Sequence, residues 1–115
     1  MTDNKEKLVV VWTSPDREVA LKMVFMYVFN SKLKKWWDSV TMIIWGPSAK
    51  LLSEDKELQE YIEKIKAEGV NLEACLRCTD MYGVTQKLED LGINVRLMGE
   101  PLTAYAKEGR QILTF

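Results

Sequence analysis

The chain has 115 residues, of which 47% are apolar and 29% charged, and its 16 basic and 17 acidic side chains leave a formal net charge of −1. These figures describe a single globular domain over residues 1–115 that buries roughly two thirds of its unfolded surface. They exclude a disordered chain and give no basic footprint for nucleic acid. Histidine is absent, which removes every imidazole base and imidazole metal ligand.

The polar residues 1–6 (MTDNKE) read as a tail, not as a signal or transit peptide. No apolar run approaches the ~18 residues that span a bilayer, so no membrane association is expected. Two cysteines are too few for a secreted disulfide scaffold. A reducing cytoplasm is therefore the expected location.

Leu8-Val9-Val10-Val11-Trp12 is a continuous β-branched run, the pattern of a strand buried on both faces. Ser14 is the expected N-cap of a helix from about Pro15 to Asn30, with Asp16 and Glu18 at its positive end. Val40 to Trp45 is a second buried strand, stopped by Gly46-Pro47 and followed by a short helix over Ser48 to Leu52. Ser53 is the expected cap of an amphipathic helix whose apolar positions are Leu58, Tyr61, Ile62 and Ile65, closed by Gly69. Val70 to Ala74 is a third strand with Cys75 at its end. A helix over Leu76 to Leu91, a strand over Asn94 to Met98, a helix over Leu102 to Lys107 and a last strand over Gln111 to Phe115 complete the chain. Strand alternating with helix, with short connections, predicts an α/β protein with a parallel sheet covered on both faces.

The first helix carries one charge, Lys22, between Val19 and Phe29. Either it is deeply buried or its outer face packs on another subunit. The second reading predicts a homo-oligomer, because apolar patches of that size are uncommon on monomers. Lys32, Lys34 and Lys35 beside Trp36 and Trp37 read as a solvated connection with two anchoring indoles.

Cys75 and Cys78 form a C-x-x-C pair. A closed zinc site wants four ligands, so only a dimer pooling both cysteines of each chain would complete one. A thioredoxin-type dithiol follows the first strand of its fold, whereas two βα units precede this pair. Cys75 sits at a strand's carboxyl end, where open parallel sheets collect their chemistry. The following helix start and Arg77 both favour a thiolate there, while Glu73 and Asp80 oppose it. Trp12 and Trp45 end the first two strands on the same rim and would shield a cleft or cap the core. Two small apolar core residues is the structural alternative for the cysteines.

The segments "WGPSAKLL" (Trp45 to Leu52), "EACLRCTDMYGV" (Glu73 to Val84) and "GEPLTAY" (Gly99 to Tyr105), in this order of elements, resemble the DsrE/DsrF-like family. The resemblance covers Lys7 to Phe115. It implies a three-layer α/β/α domain with a five-stranded parallel sheet, assembled into homo- or hetero-oligomers. In the family's sulfur-relay members the cysteine after the third strand accepts sulfane sulfur as a persulfide and passes it to a partner. Cys75 matches that position. Cys78 is an additional cysteine, expected either to resolve a Cys75 persulfide or to lie buried beneath the helix.

The implied protein is a small persulfide carrier or sulfurtransferase with donor and acceptor proteins as partners, using no metal or organic cofactor. The alternative is a non-catalytic oligomeric module that binds a small molecule or protein at the same rim, with incidental cysteines.

Overall fold

The first β-branched run lies in the middle of the sheet. In the computed structural model, which describes residues 6–115, β1 (Lys7–Trp12) pairs with β2 (Ser39–Ile44) on one side and β5 (Gln111–Thr114) on the other. β3 (Asn71–Cys75) lies outside β2, and β4 (Asn94–Arg96) outside β3. Every pairing is parallel, and the order is β4-β3-β2-β1-β5. Leu8, Val9 and Val10 are all fully buried, as a strand covered on both faces requires. Of the expected polar tail, residues 1–5 lie outside the described residues.

The first crossover contains α1 (Arg17–Val19), a π-helical stretch (Ala20–Val24) and α2 (Phe25–Leu33). The second contains α3 (Pro47–Glu54) and α4 (Lys56–Ala67), the third α5 (Leu76–Tyr82) and α6 (Thr85–Asp90), and the fourth α7 (Gly99–Lys107). The first three crossovers step one way along the sheet, and the fourth returns past β1 to the far edge. Right-handed connections therefore place α7 on the face opposite the other helices. The two cores follow this division. Leu8, Val10, Trp12, Met42 and Ile44 pack with Val24, Phe25, Leu58, Ile62 and Leu88. Val9, Val11, Ile43, Cys75 and Met98 pack with Leu102 and Tyr105 of α7.

Three local expectations are corrected. Asp16, not Ser14, caps the first helix, its carboxylate accepting from the Glu18 and Val19 N–H groups. Ser14 Oγ instead accepts from Asp16 N–H at 3.1 Å. Asp55, not Ser53, caps α4, accepting from Leu58 N–H at 3.0 Å and from Arg17 Nε at 2.5 Å. At both ends a carboxylate two residues downstream displaces the serine, since its charge also meets the helix dipole. The single helix expected over Leu76 to Leu91 breaks at Gly83, which takes the left-handed conformation (φ 71°) that ends α5.

The first helix is two-sided. Ala20, Val24, Phe25 and Val28 are buried, whereas Met23 is 41% and Met26 47% exposed. Trp36, also exposed, lies beside them in one shallow surface depression. The deeply buried reading of this helix is excluded for its outer face. Among the described residues, no helix is long and apolar enough to cross a membrane.

Candidate functional site

β3 and β4 are neighbours, yet the chain leaves them towards opposite faces. After β3 it runs into α5 and α6, whose Leu88 joins the larger core; after β4 it runs into α7 and the smaller one. Diverging connections from adjacent parallel strands open a crevice at their carboxyl ends. Cys75, the last residue of β3, stands at that point, in register with Arg96 of β4. Paired residues in a parallel ladder project from the same face, as do residues two apart in a strand. Glu73, Cys75 and Arg96 therefore share the α7 side.

Cys75 is also the N-cap of α5, with an extended backbone (φ −77°, ψ 116°), and its side chain caps no backbone N–H. Cys78 occupies the third helical position. N-cap and third-position side chains adjoin at a helix start, which is the geometry behind capping boxes. Here the two positions hold thiols, and both pack in the smaller core. Burial pushes the Cys78 thiol above its usual pKa, the contact with Cys75 pushes it further, and a backbone hydrogen bond from Gly46 acts in the opposite sense.

The segment after β2 supplies that Gly46 contact. Trp45 N–H donates to Trp12 C=O at 3.1 Å, Ser48 N–H to Thr13 C=O at 3.1 Å, and Ser48 Oγ to Trp12 C=O at 2.6 Å. These bonds clamp the start of α3 to the end of β1. Gly46 lies between them at φ 78°, ψ −139°, a region costly for any side chain. The Trp-Gly-Pro-Ser stretch thereby presents its backbone to Cys78. The depression of about 380 Å³ bordered by Pro15, Pro47, Lys50 and Tyr82 is not lined by either cysteine.

Below Cys75 on the same face, Glu73 is buried. Tyr105 Oη donates to its Oε1 at 2.7 Å, and Arg96 pairs with its Oε2 while also donating to Tyr105 Oη at 3.2 Å. The Arg110 guanidinium stacks over the Tyr105 ring at 4.3 Å. Burial, then donation to Glu73, raises the Tyr105 hydroxyl above its ordinary pKa. A charged residue in a buried strand demands a partner, which was the available signal in Glu73. Naming Arg96 and Tyr105 as those partners required the strand register and the helix position.

The structure brings Cys75, Cys78 and Trp45 together. It does not bring Trp12, which points into the other core and meets Phe25 edge-on at 4.9 Å. Trp12 is fully buried and is no rim residue, because strand alternation turns it with Leu8 and Val10 away from α7. Arg77 is exposed, and among the described residues it forms no ion pair with Glu73 or Asp80. Glu73 is taken by Arg96, and Asp80 accepts from Thr85 Oγ1 at 2.5 Å. Cys75 is only 5% exposed, whereas Cys78 is half-buried. Among the described residues, no three Cys, Asp or Glu side chains converge where a metal ion could sit.

A five-stranded parallel α/β/α sheet with cysteines at its switch point defines a small protein of the DsrE-like class. The DsrE/DsrF-like family model matches residues 19–115, and the chain belongs to that family. It is similar to BT1422 of Bacteroides thetaiotaomicron, a conserved protein of unknown function, at 39% identity and a TM-score of 0.93, covering 96% of this chain and 95% of that one. The ychN protein of E. coli shares the fold, with a TM-score of 0.71 at 14% identity over 96% of this chain and 99% of that one. No curated protein matches the chain.

Proposed function

We propose that the protein is a cytoplasmic sulfur carrier that forms a persulfide on Cys75 and passes the outer sulfur to a partner. The observation that carries this reading is the placing of two free thiols in one small core at the switch point of the sheet, Cys75 at the end of β3 and Cys78 in the first turn of α5. In the loading step the Cys75 thiolate attacks the sulfane sulfur of a donor such as thiosulfate. A bond forms between Cys75 Sγ and that sulfur, the donor's S–S bond breaks, and sulfite leaves with the electron pair. Membership of a family with sulfur-relay members supports the reading. We also propose a homo-oligomer, on the strength of the exposed Met23, Met26 and Trp36.

One observation favours a second reading. With Cys75 only 5% exposed, the cysteines would be incidental core residues of an oligomeric binding module. Intact mass after incubation with thiosulfate separates the two. A carrier gains about 32 Da, the mass of one sulfur, on Cys75, and a binding module gains nothing.

A further inference from the structure

We propose that Cys78 is a resolving residue that converts the Cys75 persulfide into a Cys75–Cys78 disulfide and free hydrosulfide, so that the protein also releases sulfide at the expense of a thiol reductant. This rests on the carrier reading for its substrate, and on independent geometry for its chemistry.

The geometric requirement is a separation that one S–S bond can bridge. Inside a regular helix, residues three apart point along the same face without the freedom to join. Here Cys75 is outside the helix, in extended backbone, and only Cys78 is within it. A disulfide prefers a Cα separation of about 5.5–6 Å, and the side chains of an N-cap residue and its third-position neighbour adjoin at a helix start. Cys78 is also the more exposed of the two. It is half-buried, packed against the smaller core while the first turn of α5 leaves part of it open.

The step balances within the pair. Starting from the Cys75 persulfide anion and the Cys78 thiol, the Cys78 proton moves to the terminal sulfur. The Cys78 sulfur bonds to Cys75 Sγ, and the bond from Sγ to the terminal sulfur breaks. Hydrosulfide leaves with the electron pair. The two cysteines are oxidised to a disulfide and the sulfane sulfur is reduced to sulfide. Two equivalents of a low-molecular-weight thiol then return the disulfide to the dithiol and form their own disulfide. Per turnover with thiosulfate, two thiols are consumed, and sulfite, hydrogen sulfide and one thiol disulfide are produced. Attack by Cys78 on the terminal sulfur instead would only move the persulfide from one cysteine to the other.

Two measurements test the proposal. First, the protein is loaded with thiosulfate, freed of donor, and followed without reductant by intact mass and by hydrosulfide release. Wild type should lose the added sulfur and finish about 2 Da below the reduced protein, while Cys78→Ala and Cys78→Ser release at least about tenfold more slowly. Equal rates in all three, or transfer of the label to Cys78, overturn the resolving role and leave the carrier reading standing. A wild type that never loads overturns the carrier reading and the release step together. Second, unloaded wild type is equilibrated in a glutathione redox buffer. An intramolecular disulfide is expected as one population, and mixed disulfides with glutathione alone would overturn the geometric claim whatever the outcome of loading.

Discussion

The Tyr105 hydroxyl donates to Glu73 Oε1 over 2.7 Å, and that bond ties α7 to the strand that ends in Cys75. The acceptor is a buried carboxylate whose other oxygen belongs to Arg96. Deleting the hydroxyl in Tyr105→Phe leaves Oε1 without this donor, and the expected loss is about 1–2 kcal/mol in urea denaturation. The same hydroxyl gives a pH signature. Its pKa is raised in the folded protein, so its contribution is complete below the unfolded tyrosine pKa and is lost as pH rises through the folded one. Wild-type stability should fall on the alkaline side, and Tyr105→Phe should flatten that fall. An unchanged alkaline limb in the variant would remove Tyr105 from the account.

The Cys78 thiol is held above its ordinary pKa by burial and by Cys75, against the Gly46 backbone. Alkylation of Cys78 in Cys75→Ala should therefore reach half its maximal rate at a lower pH than in wild type, because the upward influence of Cys75 is gone. Burial remains, so the midpoint stays above that of a free cysteine. Iodoacetamide rates across pH 7–11, roughly the range bracketing thiol titration, read this directly. A midpoint that ignores the substitution would show that the two thiols do not interact.

Gly46 has open space where a Cβ would go, yet its φ is 78°. Gly46→Ala should therefore cost about 1–3 kcal/mol through backbone strain alone. The distortion lies in the segment whose Gly46 backbone lowers the Cys78 pKa, so the variant should also change the Cys78 alkylation rate. A stability loss with unaltered Cys78 reactivity would separate the turn from the site.

The outer face of the first helix tests assembly. Wild type should sediment above its 13.3 kDa monomer mass, and Met26→Glu, placing a charge at a residue 47% exposed, should shift the distribution towards monomer. A wild type that is monomeric at micromolar concentration contradicts the oligomer.

Much of this was legible before any coordinates. Val9 and Val10, Met42 and Ile43, with glycines after the helices, announce strands buried on both faces, and that is enough for the α/β/α class. Helix starts were read two residues early where serine precedes aspartate, at Ser14–Asp16 and Ser53–Asp55, because both residues cap and only the structure shows the carboxylate in place. Gly83 is tolerable inside a helix and decisive at its end, and the chain alone does not say which. Cys75 and Cys78 stood out by spacing and by the strand end. Their exposures depend on how far α5 is covered where it leaves the sheet, which spacing does not show. The Glu73–Arg96 pair joins residues 23 apart and appears only once β3 and β4 are placed in register. Trp12 ends its strand, which fits either a cleft rim or a core cap, and alternation turns it into the larger core.

The central claim is that Cys75 accepts sulfane sulfur. Its most direct test is intact mass spectrometry of wild type, Cys78→Ala and Cys75→Ala, each incubated with thiosulfate and read promptly, before release proceeds. Wild type and Cys78→Ala should each gain about 32 Da, removable by a thiol reductant, with the modification mapped to Cys75, and Cys75→Ala should gain nothing. No gain in wild type, or a gain that persists in Cys75→Ala, would contradict the account.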